Sequence, residues 1–201
     1  MTLLVRPSHE ARTLGELVTW AKANTDKATL ANAGLGAASH LCGLLFQQAI
    51  GTQLTTVPYK GTAPALADLM GNQVDMLCDQ TTNTTPQIKA GRVRALALTA
   101  PSRLASLPDI PTAAEAGLKG FELGIWHGMY APKGTPKPVM DKLVSAMQAA
   151  LAAPEVKNRF AELGSVIYPV AQQTPEGLHK HLKAEIDKWG PVIRQAGVYA
   201  D

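Results

Sequence analysis

Long apolar runs are missing from this 201-residue sequence. No stretch approaches the roughly 20 residues that cross a bilayer as a helix, so none reads as a membrane span. Aromatic residues are scarce, at 5%. The 19 Lys and Arg residues are scattered, with no run and no interleaved aromatics. That pattern argues against nucleic acid as a partner. The net charge of +3 is mild and hints at most weakly at anionic ligands. Cysteine is limited to Cys42 and Cys78, which lack metal-ligand spacing. They read as two small buried hydrophobes. A disulfide stays open as the alternative in an oxidising compartment, since sequence does not place the two Cα atoms within bonding reach. The opening MTLLVRPSHE is too short and too soon polar for a signal peptide.

What is present suits an α/β globular chain. Hydrophobic residues make up 46% and charged residues 17%, and the length allows one large domain or two small lobes with ample core. Residues 3–5 form a short apolar run. Thr13 caps a helix in TLGELVTWAKAN, with Leu14, Leu17, Val18 and Ala21 on one face and Glu16 completing a capping box. Residues 29–33 are extended, Gly34-Leu35-Gly36 turns, and Ala38–Ile50 reads as a buried helix. Strands follow over 54–58, 74–77 and 93–99, with helices over Thr62–Met70 and 84–90 between them. Such alternation predicts a mostly parallel sheet with crossover helices. Composition then shifts. Residues 100–120, with Pro101, Pro108 and Pro111, read as a connection over the surface. Residues 125–131 are expected as a strand, and 139–152, 154–163 and 175–196 as helices, the last ending at Gly197.

Three places carry possible chemistry. The first is residues 32–41, NAGLGAASHL, a strand, glycine turn and helix start. Gly34 and Gly36 let the turn aim several backbone N–H groups at one spot, and the helix start favours a carboxylate or phosphate. The helix dipole is worth about 0.3–2 kcal/mol, and each charge-assisted hydrogen bond about 1.5–3 kcal/mol. The bland alternative is a tight turn capped by Ser39. No third glycine and no acid at the right distance follow, so this is not a dinucleotide fingerprint. The second is Tyr59 and Lys60 at a strand end, where open α/β sheets bind ligands. Tyr59 offers a flat face and a hydroxyl, and Lys60 reads as solvated. The third is Asp79 and the polar residues 80–83, just past the strand over 74–77. His9, His40, His179 and His181 show no metal-ligand spacing and read as solvated. No metal site and no cofactor is expected. The best enzymatic reading is a small-ester hydrolase using Ser39, His40 and Asp79. There is no GxSxG elbow, and Ser39 and His40, adjacent on one helix, point about 100° apart.

Three segments, in order, carry a resemblance: VPYKGTAPALADLMGNQVDMLCD at 57–79, PQIKAGRVRALALT at 86–99, and LPDIPTAAEAGLKGF at 107–121. Together they resemble the solute-receptor family of the tripartite tricarboxylate transporters, the Bug receptors, through nearly all of the chain. The resemblance implies a periplasmic receptor, not an enzyme. Such a receptor captures a small carboxylate and hands it to the membrane permease of a tripartite transporter. The implied fold is the type II periplasmic binding protein, two α/β lobes with the ligand between them. Residues 1–123 would be the complete second lobe, with its mostly parallel sheet. Residues 124–201 would be the helix-rich C-terminal part of the first lobe, whose N-terminal part precedes this sequence in family members. The implied ligand residues are Gly34, Gly36, Ala37, Ala38, Ser39, His40, Tyr59, Asp79 and Trp126. Ala37 stands where the family usually has Ser or Thr, so Ala37→Ser is expected to strengthen binding by about 1 kcal/mol. Asp79 would bind a ligand amino group where one exists. Trp126 would wall the cleft, though a strand-borne Trp is more often core, and His127 would reach a carboxylate. Asp68 and Asp75 would serve turn and packing. The tail carries apolar faces with few partners, marked by Val139, Leu143, Met147, Leu151, Leu178, Leu182 and Ile186. The tail is expected either to form a homodimer or to rearrange against its own lobe, and the helix faces, laid out for a partner sheet, favour the homodimer. A third reading is an orphaned, self-associating lobe with no transport role.

Overall fold

The computed structural model describes residues 1–195 and 197. They divide into two compact units, Met1–Ile125 and a second from Trp126 onward.

The first unit is built on a five-stranded sheet. Its strands are β1 (Thr2–Val5), β2 (Thr29–Asn32), β3 (Thr55–Pro58), β4 (Met76–Asp79) and β5 (Arg94–Leu98), in the order β3-β2-β4-β1-β5. β2 pairs parallel with β3 and β4, while β1 runs antiparallel to β4 and β5. Four strands therefore share one direction, and β1 alone is inverted. Helices α1 (Leu14–Ala23), α2 (Ala38–Ile50), α3 (Thr62–Met70) and α4 (Thr81–Lys89) connect them.

Alternation along each strand sends neighbouring side chains to opposite faces. Leu4, Ala31 and Leu77 pack with Ala65 and Leu69 of α3 in one buried cluster. Leu30 lies under α2 instead: a Cβ added at Gly43 would meet its Cδ2 at 3.0 Å. Cys78, one residue past Leu77, is bonded to Cys42 of α2, with Cα atoms 6.0 Å apart. The two cysteines are thus a cross-link rather than separate apolar fillers. Strand pairing sets Cys78 on the face that α2 covers, a long-range placement that sequence spacing does not encode.

Several boundaries differ from expectation. β4 lies two residues later than 74–77, because pairing of Thr2 with Asp79 and of Val5 with Met76 fixes its register. Asp79 is therefore the last strand residue, and α4 begins at Thr81 rather than Thr84. Glu16 reaches the N–H of Arg12 at 2.6 Å rather than that of Thr13, while Thr13 caps the Glu16 N–H at 3.2 Å. Residues 100–120 are not a mere surface connection. Leu98 bonds Pro111 and Ala113 through the backbone, and Leu107, Ala113, Phe121 and Leu123 are buried. The edge of β5 needs partners for its open N–H and C=O groups, and this segment supplies them. His9 and His40 are buried, not solvated. His9 packs edge-on against Trp20, with centroids 4.4 Å apart, and its Nδ1 accepts from Ala11 N–H.

The second unit holds α5 (Lys137–Ala152), α6 (Pro154–Glu162), a 3-10 turn (Val170–Gln172) and α7 (Pro175–Gln195). The expected helix end at Ala196 lies outside the described residues. None of the unit's described residues is fully buried. Residues 126–131 form no strand. Among the described residues this unit offers no other strand, and a lone strand would leave its ladder groups unpaired.

Candidate functional site

Strands β2, β3 and β4 are neighbours running one way, so α2, α3 and α4 all begin at the same edge of the sheet. Their N-cap residues are Ala37, Gly61 and Gln80, and none makes a side-chain cap bond. By contrast α1 is capped by Thr13. The shared edge thus gathers three positive helix ends whose N–H groups are not satisfied by their own caps.

The turn from β2 into α2 is closed by its own side chains. Gly34 N–H donates to Asn32 Oδ1 at 2.9 Å, Ala33 N–H to Ser39 Oγ at 2.8 Å, and Gly36 N–H to His40 Nδ1 at 3.2 Å. Gly34 and Gly36 have φ of 120° and 75°, a region that favours glycine. A Cβ at Gly34 would also press on the Tyr59 carbonyl at 3.2 Å. The first α-helical bond runs from Leu41 N–H to the Ala37 carbonyl. Among the described residues, the N–H groups of Ala38, Ser39 and His40 therefore have no acceptor in the chain. The turn consumes the side chains and leaves the helix start open.

Asp79 is buried at the same edge. Its Oδ2 accepts from Thr62 Oγ1 at 2.6 Å, and its Oδ1 accepts from Gln80 N–H at 2.6 Å and Asn83 Nδ2 at 3.4 Å. It ties the starts of α3 and α4 to the end of β4. Tyr59 donates its hydroxyl to Asp68 Oδ2 at 2.6 Å. Burial, with that bond, pushes the phenol up to about 12, so the hydroxyl keeps its proton and stays with Asp68. Lys60 is exposed.

Ser39 and His40 each hold a different backbone N–H of the turn and do not pair with one another, so no nucleophile and base are assembled. Trp126 lies in the other unit, half-buried, edge-on to His181 with centroids 4.7 Å apart. His127 and His179 are exposed. Asn32, Thr62 and Asn83 lie in or beside the segments picked out from the sequence, which assigned none of them a partner. Asn32 had a signal, since an Asn two residues before Gly34 can accept its N–H in an Asx turn. Thr62 had none, because its partner Asp79 is fixed only by strand order, whereas Asn83 lies four residues past Asp79 and reaches it across the turn from β4 into α4.

The model of the family described as "Tripartite tricarboxylate transporter family receptor" matches residues 1–198. A relative from Agrobacterium vitis, a UPF0065 protein in the TAR-I ttuE-ttuC' intergenic region, is 50% identical over 199 residues. The match covers 98% of this chain and 57% of the relative. The solved structure of periplasmic binding protein BugD is similar with a TM-score of 0.94 at 50% identity, covering 100% of this chain and 67% of that one. MatC from Rhodopseudomonas palustris with bound malate is similar with a TM-score of 0.91 at 38% identity, over 96% of this chain and 65% of that one. The chain spans a little over half the length of the Agrobacterium relative.

Proposed function

The chain belongs to the receptor family of the tripartite tricarboxylate transporters, and from that membership we propose that it captures a small carboxylate in the periplasm. It passes the ligand to a membrane permease and does not transform it. Residues 1–123 act as the ligand-binding lobe, and 124–201 belong to the other lobe. The observation that carries this reading is the open first turn of α2, where the N–H groups of Ala38, Ser39 and His40 face no acceptor among the described residues. Gly34 and Gly36 shape the turn, and Ser39 and His40 pin it. Asp79 keeps α3 and α4 aligned on the same edge, and Tyr59 walls it. Trp126 enters through the family resemblance alone. The Cys42–Cys78 bond suits an oxidising compartment.

Calorimetry with acetate, succinate, malate and adipate tests the reading, on this chain and on one extended to family length. Saturable binding of at least one is expected. Ala38→Pro supplies the local control. Proline fits a first helical position but has no N–H, and Ala37, with ψ of 157°, already has the backbone that precedes a proline. Affinity should fall by about 1.5 kcal/mol with the fold intact. No binding at millimolar levels by either chain overturns the function. Binding untouched by Ala38→Pro moves the site elsewhere.

A further inference from the structure

We infer that His40 is the positioning residue of this turn: its Nδ1, accepting the Gly36 N–H, holds the backbone from which the first turn of α2 meets an anion, and it makes binding depend on pH. The inference rests on the carboxylate reading above for its ligand, but the latch itself is a property of the fold.

Gly36 sits at φ 75°, and its N–H would be free to turn away without an acceptor. His40, one turn further on, supplies that acceptor at 3.2 Å and is only 6% exposed. An Nδ1 that accepts must be unprotonated, so the ring is neutral and carries its proton on Nε2. A second proton would land on Nδ1. It would then set one N–H against another and release Gly36. Ser39 would still hold Ala33, so the turn would loosen at its helix end, the end that leads into Ala38.

The surroundings offer that charge no relief. The residues lining the small void beside His40 include Asn32 on β2, Thr56 on β3 and Gln47 on α2, all uncharged. On β4, Cys78 is disulfide-bonded, and Asp79 is already held by Thr62, Gln80 and Asn83. Burial is the one cause that acts on the ring, and it lowers the pKa below the ordinary 6.5. The sign follows. The neutral latch is fully formed above about 6.5 and is lost as pH falls through the lower folded value. Acid therefore weakens binding.

Nitrogen-15 NMR tests the latch without a ligand. At pH about 7.5 the His40 ring should be the Nε2–H tautomer. On acidification the Gly36 amide signal should move with the ring's titration, and its protection, the exchange rate relative to the intrinsic rate at the same pH, should fall about tenfold. A ring in the Nδ1–H form, or a Gly36 amide indifferent to it, overturns the inference. Calorimetry with malate tests the consequence. From pH about 7.5 to about 5, wild-type affinity should fall about fivefold more than that of His40→Asn, whose Oδ1 takes the place of Nδ1 and does not titrate. At pH about 7.5 His40→Leu should bind about fivefold more weakly than wild type, with His40→Asn recovering most of the loss, and by pH about 5 the gap between His40→Leu and wild type should close. Equal pH slopes in wild type and His40→Asn overturn the inference. If malate fails to bind at all, the receptor reading suffers, and the Gly36 amide alone decides the latch.

Discussion

Ala37 occupies the N-cap of α2 with φ −66° and ψ 157° and no side-chain bond. From the sequence, a serine there was expected only to help hold the ligand. The cap geometry adds a competing effect. The hydroxyl introduced by Ala37→Ser would accept the N–H of Ser39 or His40 in the empty protein, stabilising it by about 1 kcal/mol. The same N–H would then be less open to a carboxylate. Two effects of similar size oppose each other, so Ala37→Ser should raise the unfolding temperature by about 2–4 °C. Its affinity for the identified carboxylate should change by less than about threefold. Thermal unfolding and calorimetry on the same preparation check both. A tenfold gain in affinity without added stability would show the hydroxyl on the ligand rather than on the helix. Asp75 teaches a similar lesson. It read as a packing residue, yet its carboxylate accepts from Arg6 Nε at 2.9 Å and from the Thr29 N–H and hydroxyl at 3.0 and 2.8 Å. Burial alone would raise its pKa, but the Thr29 and Arg6 bonds outweigh it and hold the carboxyl below the ordinary range.

Between elements, the Cys42–Cys78 bond joins α2 to β4 across 36 residues. It anchors the helix whose first turn carries the candidate site to the strand that ends in Asp79. Chain-entropy arguments give a loop of this size about 3–4 kcal/mol of stabilisation. Reduction with a phosphine should lower the unfolding free energy by that amount, read from urea midpoints with and without reductant. A shift below about 0.5 kcal/mol would mean that β4 and α2 hold together by packing alone. The elements themselves were largely legible in the sequence. Ala38–Ile50 and Thr62–Met70 fall where glycine turns and apolar spacing put them. What was not legible depends on pairing between distant strands: the register that carries β4 to Asp79, the inversion of β1, the disulfide, and the bond from Thr62 to Asp79. In the site, the glycine turn and helix start could be read directly. A turn capped by Ser39 stood among the readings of the sequence, but that His40 turns inward to hold it could not be read, because a buried histidine and a solvated one look alike in a sequence. The strand expected over 125–131 failed for the opposite reason: its local pattern was adequate, but it has no partner strand among the described residues.

At the scale of the whole molecule the two units differ in kind. The first has a continuous buried core. The second has amphipathic helices and, among its described residues, no fully buried side chain. Val139 and Leu143, a helical turn apart on α5, are 47% and 40% exposed; Ile186 on α7 is 60% exposed, and Val166 is 82% exposed. Apolar faces of this kind gain about 25 cal/mol for each Å² removed from water, and a contiguous patch of a few hundred Å² is already large for a monomer. A second copy offers the same faces, and a two-fold arrangement would let each cover the other. The chain is therefore expected to dimerise through residues 126–195 at tens of micromolar. Light scattering should report twice the 21.3 kDa chain mass. The double change Val139→Lys with Ile186→Lys should return it to a monomer without unfolding the first unit, as judged by its own cooperative transition. A strict monomer at high micromolar concentration, with slow amide exchange throughout 126–195, would refute self-association. A chain of full family length that is monomeric where this one dimerises would show that the same faces are covered from within.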